Sequence, residues 1–150
     1  METEVQPTDL TRLIHEISLM MARIFNRRMK ESGLTRSQWQ VLYQLNRKDG
    51  QTQTELADLL IIAKPPLGKM VDRLENEGWV ERRADAADRR AKRVYLTGKA
   101  ASLIEPLEAE VDAIARCATE HFSSSELESL KALLLKVHCN LVDTEESRCL

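Results

Sequence analysis

Between Thr52 and Gly78 the chain sets a short helix, a break and a second helix within about thirty residues, and few folds accommodate that spacing. "TQTE" (52–55) reads as a capping box, in which the Thr52 hydroxyl takes the Glu55 amide and the Glu55 carboxylate reaches back. The helix it opens carries Leu56, Ala57, Leu59 and Leu60 at packing positions. "IIAK" interrupts it. In "KPPLGKMVDRLENEG" Leu67, Met70, Val71 and Leu74 then fall at i, i+3, i+4 and i+7, one apolar face of a helix. Gly78 is placed to end that helix in a left-handed conformation. The pattern predicts a helix-turn-helix.

The next twenty residues narrow the fold further. "WVERRA" (79–84) and "RVYLT" (93–97) are short β-like runs, with Val80 and Arg82 on one face of the first. The segment between them, "DAADRRAK", is polar and charged, as a hairpin tip should be. A helix-turn-helix joined directly to a charged hairpin is a winged helix. Longer helices flank it. Leu10, Leu13, Ile14, Ile17, Met21, Ile24 and Phe25 predict an amphipathic helix over 9–30, ended by Ser32-Gly33. "TRSQ" (35–38) is a second capping box, opening a helix that turns Trp39, Leu42, Tyr43 and Leu45 inward. Thr97 can cap a fifth helix with a stripe from Ala100 to Ala118, which Pro106 should kink or weaken. Ser123 and Glu126 cap a sixth, with Leu127, Leu130, Leu134, Val137 and Leu141 on one face. The fold class expected is mainly α with a small β-hairpin wing.

Composition excludes several classes. With 150 residues, 43% hydrophobic and 31% charged, the chain suits one globular domain with a real core. No apolar stretch reaches the ~18 residues of a membrane span and the first residues have no signal-peptide pattern, so cytoplasmic residence is the expectation. Cys117, Cys139 and Cys149 sit at unrelated spacings, without a CxxC pair or a histidine at ligand spacing. They predict two helix-packing thiols and one tail thiol, no disulfide framework and no metal. His15, His121 and His138 lie on predicted helices with no phosphate loop or HExxH pair, so neither enzyme activity nor a cofactor is expected.

Charge is unevenly spread. From Glu81 to Lys99 seven Lys/Arg face three Asp/Glu, a net of +4, whereas from Glu105 to the end four face ten, a net of −6. The positive half is densest at "DRRAKRVYLT" (88–97), where Arg89, Arg90, Lys92 and Arg93 fill four of five positions. Arginines at a hairpin tip suit a minor groove, which is too narrow for a helix and strongly negative. Lys92 and Arg93 would run along the strand toward phosphates. The helix in "KPPLGKMVDRLENEG" would present Pro65, Lys69, Asp72, Arg73 and Asn76 to a major groove, its N-terminal end nearest the bases. The candidate DNA-binding residues are therefore Lys64, Pro65, Pro66, Gly68, Lys69 and Arg73 on the helix, with Asp88, Arg89, Arg90, Lys92 and Arg93 on the wing.

These pieces together, "GLTRSQWQVLYQL", "TQTELADLL", "MVDRLENEGWVERR" and above all "DRRAKRVYLT", resemble the MarR family of bacterial transcription regulators, within it the SlyA-like branch. The similarity runs over nearly the whole chain. It implies a homodimer whose first, fifth and sixth helices interlock, with two winged lobes reading a pseudo-palindromic duplex operator about 34 Å apart. Residues 1–34 would then be a dimerisation helix, 35–98 the DNA-binding lobe and 99–150 the remaining dimerisation helices. It also implies release from DNA by a small phenolic or aromatic anion, for which Arg12, Arg23, Trp39 and Tyr43 are the candidate pocket residues. Many relatives carry Ser or Thr where this chain has Pro65-Pro66. Two prolines remove two backbone donors from the helix N-terminus, so Lys64, Lys69 and apolar contact must carry more of the recognition. Two alternatives stand beside this reading: a winged helix that binds a protein partner without sequence-specific DNA binding, and a thiol-based redox-responsive regulator.

Overall fold

A computed structural model describes residues 5–147. The chain divides into two compact units, one ending at Ile114 and one beginning at Ala115. Helix α1 (Pro7–Arg28) opens on Pro7, whose missing amide costs nothing in a first turn, and a single 3-10 turn (Lys30–Ser32) follows it. Gly33 then reverses the chain at φ +71°. Helix α2 (Arg36–Arg47) starts at the expected capping box: Thr35 Oγ1 accepts from the Gln38 amide at 3.3 Å, and Gln38 Oε1 accepts from the Thr35 amide at 2.8 Å.

Thr52 has two roles. With Gln51 it forms a short strand, β1 (Gln51–Thr52), and it also caps helix α3 (Gln53–Leu60) through the second capping box with Glu55. Helix α4 (Lys64–Asn76) comes after the turn, and Gly78 carries the chain out at φ +77°. Strands β2 (Val80–Ala84) and β3 (Lys92–Leu96) pair antiparallel with Val80 opposite Leu96 and Ala84 opposite Lys92. Strand β1 pairs with the other edge of β3, Gln51 opposite Val94, so the order is β1-β3-β2. The first strand thus starts one residue later than the sequence predicts and the second lies one residue earlier, while β1 has no counterpart in the sequence reading. Two residues are too few to show alternation.

Buried side chains from α1 (Phe25), α2 (Trp39, Val41, Leu42, Leu45), α3 (Leu56, Ala57), α4 (Leu67, Val71, Leu74) and the sheet (Val80, Val94) form one core. Removal of their apolar area from water is the main stabilising term. Leu59, expected inside, is exposed instead, because α3 buries only the Leu56–Ala57 side. Helix α5 (Gly98–Ala118) is capped by the Thr97 hydroxyl and contributes Ala100, Ile104, Leu107 and Ile114 to the core. It continues through Pro106 as one helix, and the proline, having no amide, leaves out one hydrogen bond of that turn as the sequence predicts.

In the second unit, helix α6 (Ser124–Ser147) begins at the expected Ser123–Glu126 pair, with the Ser123 amide donating to Glu126 Oε2 at 2.8 Å. Leu127, Leu130, Leu134, Val137 and Leu141 form its apolar stripe, and all are exposed. Leu10, Leu13, Ile14 and Ile17 on α1 are exposed as well. Cys117 and Cys139 are exposed rather than packed, a correction to the sequence expectation, while Cys149 lies outside the described residues. No helix among the described residues is long and apolar enough to cross a membrane.

Candidate nucleic-acid interface

The turn between α3 and α4 is made by backbone hydrogen bonds. The Ile62 amide donates to the Ala57 carbonyl at 3.0 Å and the Ile61 amide to that of Asp58 at 3.3 Å. This geometry puts Ile61 at φ +53°, a left-handed conformation that a β-branched residue resists. Ile61 is 76% exposed, so its side chain recovers little by burial. Ile61→Gly should therefore raise the free energy of unfolding by about 1 kcal/mol, measured by urea denaturation. A lower denaturation midpoint for that variant would show that the isoleucine is held by contacts rather than strained.

Helix α4 buries Leu67, Val71 and Leu74, with Met70 partly covered, as its spacing predicted. Its N-terminus has no side-chain cap, since Ala63 stands there, and the two prolines leave few amides free to meet an anion. Lys64, Pro65, Pro66 and Lys69 are exposed on this end, and Gly68 lies partly covered beside Gln53. The helix does not present all its polar residues freely. Arg73 pairs along the helix with Glu77 at 2.9 Å, and Asp72 pairs with Arg82 of β2 at 2.6 Å. Lys64 and Lys69 make no ion pair among the described residues.

The wing is a braced loop. Asp85 accepts the amides of Ala87 at 2.7 Å and Asp88 at 3.1 Å, and its own amide donates to the Ala91 carbonyl. Asp88 accepts the Arg90 amide at 2.9 Å, an Asx turn, while the Ala91 amide closes onto the Asp88 carbonyl at 3.0 Å. The carboxylate of Asp88 therefore shapes the loop. This loop projects Arg89 and Arg90, both exposed and without an ion pair among the described residues. Lys92 is exposed on β3.

Arg93 behaves differently from the expectation that it would reach phosphates. Its guanidinium binds the Asp85 carboxylate, donates to the Gly50 carbonyl at 2.8 Å, and lies 3.7 Å from Glu55. It fastens the base of the wing to the start of α3. The backbone amides of Ala87 and Asp88, together with Arg93, hold the Asp85 carboxyl below its ordinary range. Arg83 likewise pairs with Glu81 and stacks 4.6 Å from the Tyr95 ring centroid. The basic segment thus separates into cations paired within the lobe, Arg82, Arg83 and Arg93, and three exposed cations without an ion pair among the described residues, Arg89, Arg90 and Lys92.

A second concavity lies between α2 and α5 in the first unit, a cleft of about 530 Å³ lined by Arg36, Trp39, Tyr43, Leu60, Glu108 and Asp112 among others. The Trp39 and Tyr43 rings stand 5.8 Å apart and form an aromatic wall. The cations expected there do not line it. Arg12 is exposed beside Asp9 and Glu16, and Arg23 is exposed on α1. Arg36 takes that position, one turn before Trp39, with its guanidinium 5.7 Å from the Phe25 ring and its Nη1 buried without a hydrogen-bond partner. No group of three His, Cys, Asp or Glu among the described residues is arranged to hold a metal.

A helix-turn-helix, a braced wing and flanking helices with unpartnered apolar faces define a winged helix-turn-helix protein. A family model described as MarR family matches residues 32–91. Solved structures agree over far more of the chain. The transcriptional regulator SlyA is 26% identical, with 91% of this chain and 96% of that one covered at a TM-score of 0.86. A cysteine-to-serine mutant of MarR from E. coli, complexed with operator DNA, is 31% identical over 86% and 93% of the two chains, TM-score 0.80. MepR from S. aureus, in a DNA complex, is 26% identical over 87% and 95%, TM-score 0.80. The chain belongs to the MarR family.

Proposed function

We propose that the protein is a transcription regulator that binds duplex DNA sequence-specifically as a homodimer, acting as a repressor in the cytoplasm. The observation that carries this is the wing tip: two exposed, unpaired arginines held out by a loop whose every turn is fixed by Asp85 and Asp88. Such a tip fits the negative minor groove, while Lys64, Pro65, Pro66 and Lys69 at the N-terminal end of α4 fit the adjacent major groove. The operator-DNA complex of MarR and the DNA complex of MepR support the same use of the fold. The exposed apolar stripes on α1 and on α6 each offer a surface for a second copy of the chain and so support a dimer. Selection of bound sequences from random duplexes tests the DNA reading, and an inverted repeat is the expected product.

The cleft between α2 and α5 suits a small aromatic effector, with Trp39 and Tyr43 as the wall and Arg36 as the cation for an acidic group. Benzoate should then displace DNA from the wild type, and Arg36→Gln should need about tenfold more of it, the worth of one charge-assisted hydrogen bond. Equal sensitivity of the two proteins, read by fluorescence anisotropy of labelled DNA, would remove Arg36 from that role.

A further inference from the structure

One arginine of the basic segment points neither outward nor into the wing base. Arg82 of β2 is only 13% exposed, and each nitrogen of its guanidinium is already bonded: Nε to Gln53 Oε1 at 2.8 Å, Nη1 to Glu75 Oε2 at 2.5 Å and Nη2 to Asp72 Oδ1 at 2.6 Å. Its backbone amide donates to the other oxygen of Glu75 at 2.9 Å. A charge this far out of water persists only when paired, and here two carboxylates pair it. The group is planar and its fork is rigid, so bonds on three sides fix the relative placement of the three elements that supply them. Those elements are α3, α4 and β2.

Resting on the DNA reading, we propose that Arg82 is a positioning residue for base recognition, holding α4 at a fixed angle to the wing without touching DNA. The lever arm sets the size of the effect. Arg82 grips α4 in its second half, at Asp72 and Glu75, whereas the end that would meet bases begins at Lys64. Those points are about 12 Å apart along the helix axis, so a tilt of ~10° about the grip moves Lys64 by about 2 Å. Contacts that discriminate bases tolerate about 0.5 Å. Phosphate contacts made by flexible lysines and by the wing tip tolerate much more. Losing the grip should therefore cost discrimination before it costs attraction. A direct phosphate contact by Arg82 is disfavoured by the same bonds, because Asp72 and Glu75 surround the guanidinium with more negative charge than it carries.

The test compares the wild-type chain, Arg82→Lys and Arg82→Met on two duplexes, the operator obtained by selection with the wild type and a scrambled duplex of equal length and composition. Dissociation constants are measured across a salt series, with thermal melting as a check of folding. Arg82→Met should lose about tenfold or more on the operator and less than about threefold on the scrambled duplex, with the salt slope unchanged. Arg82→Lys, which keeps the charge but not the fork, should fall between the two and remains informative if the methionine variant folds poorly. Equal losses on both duplexes with a slope shallower by about 0.9 would make Arg82 a phosphate contact and overturn the proposal. Full discrimination by both variants would overturn it too. A wild type that prefers no duplex would overturn the DNA reading itself, and the role of Arg82 with it.

Discussion

Replacing Arg89 and Arg90 together by alanine should lower affinity for the operator by about thirtyfold to twenty-thousandfold, since each arginine contributes about 1–3 kcal/mol at such a site. The fall should come with a shallower salt dependence, by about 0.9 in log–log slope for each phosphate no longer neutralised. Stability should not change, because both side chains are exposed and neither pairs with an acid among the described residues. Only backbone atoms of this tip take part in the loop: the Arg90 amide bonds Asp88, and alanine keeps that amide. The loop therefore survives while its two charges go. Electrophoretic mobility shift over a protein titration checks the result, and retention equal to wild type would mean that the wing does not enter the groove.

The second large effect concerns assembly. Leu130 and Leu134 sit one turn apart on the exposed stripe of α6. Changing both to glutamate should leave a monomer at micromolar concentration, because burying two unpaired carboxylates in an apolar interface costs several kcal/mol. Neither residue belongs to the core built from α1 to α5, so the winged lobe should remain folded. Affinity for a two-half-site operator should then fall by roughly a thousandfold, the advantage gained when a second lobe binds from the same molecule. Sedimentation velocity reads the first outcome and mobility shift the second. A dimer that survives both substitutions would place the interface on another surface.

Local features were legible in the sequence and distant ones were not. Both capping boxes, the left-handed exit at Gly78 and the Ser123–Glu126 pair each depend on residues within a few positions, and all are readable directly. The buried face of α4 followed from its spacing. Arg93 and Arg82 were harder, since the groups that hold them include Gly50, Glu55 and Gln53, far away in sequence. A charge count sees four cations in five positions and cannot tell which are internal anchors. A usable signal did exist: Asp72 and Glu75 on a supposed DNA-facing helix required a cation, and the strand next to them carries one. Arg36 was overlooked for a similar reason, because its place in the cleft depends on α5 packing against α2. Leu59 and the two described cysteines were assigned to packing from helical spacing alone, which cannot tell an inward stripe from one awaiting a partner.

We propose that the braced wing and the N-terminal end of α4 read duplex DNA together from two lobes. Affinity selection from random duplexes with the purified protein tests it most directly. The expected product is an inverted repeat with half-sites about one helical turn apart, lost when Arg89 and Arg90 are alanine. Recovery of unrelated sequences, retained as well by that variant as by the wild type, would contradict it and favour a winged helix that meets a protein partner.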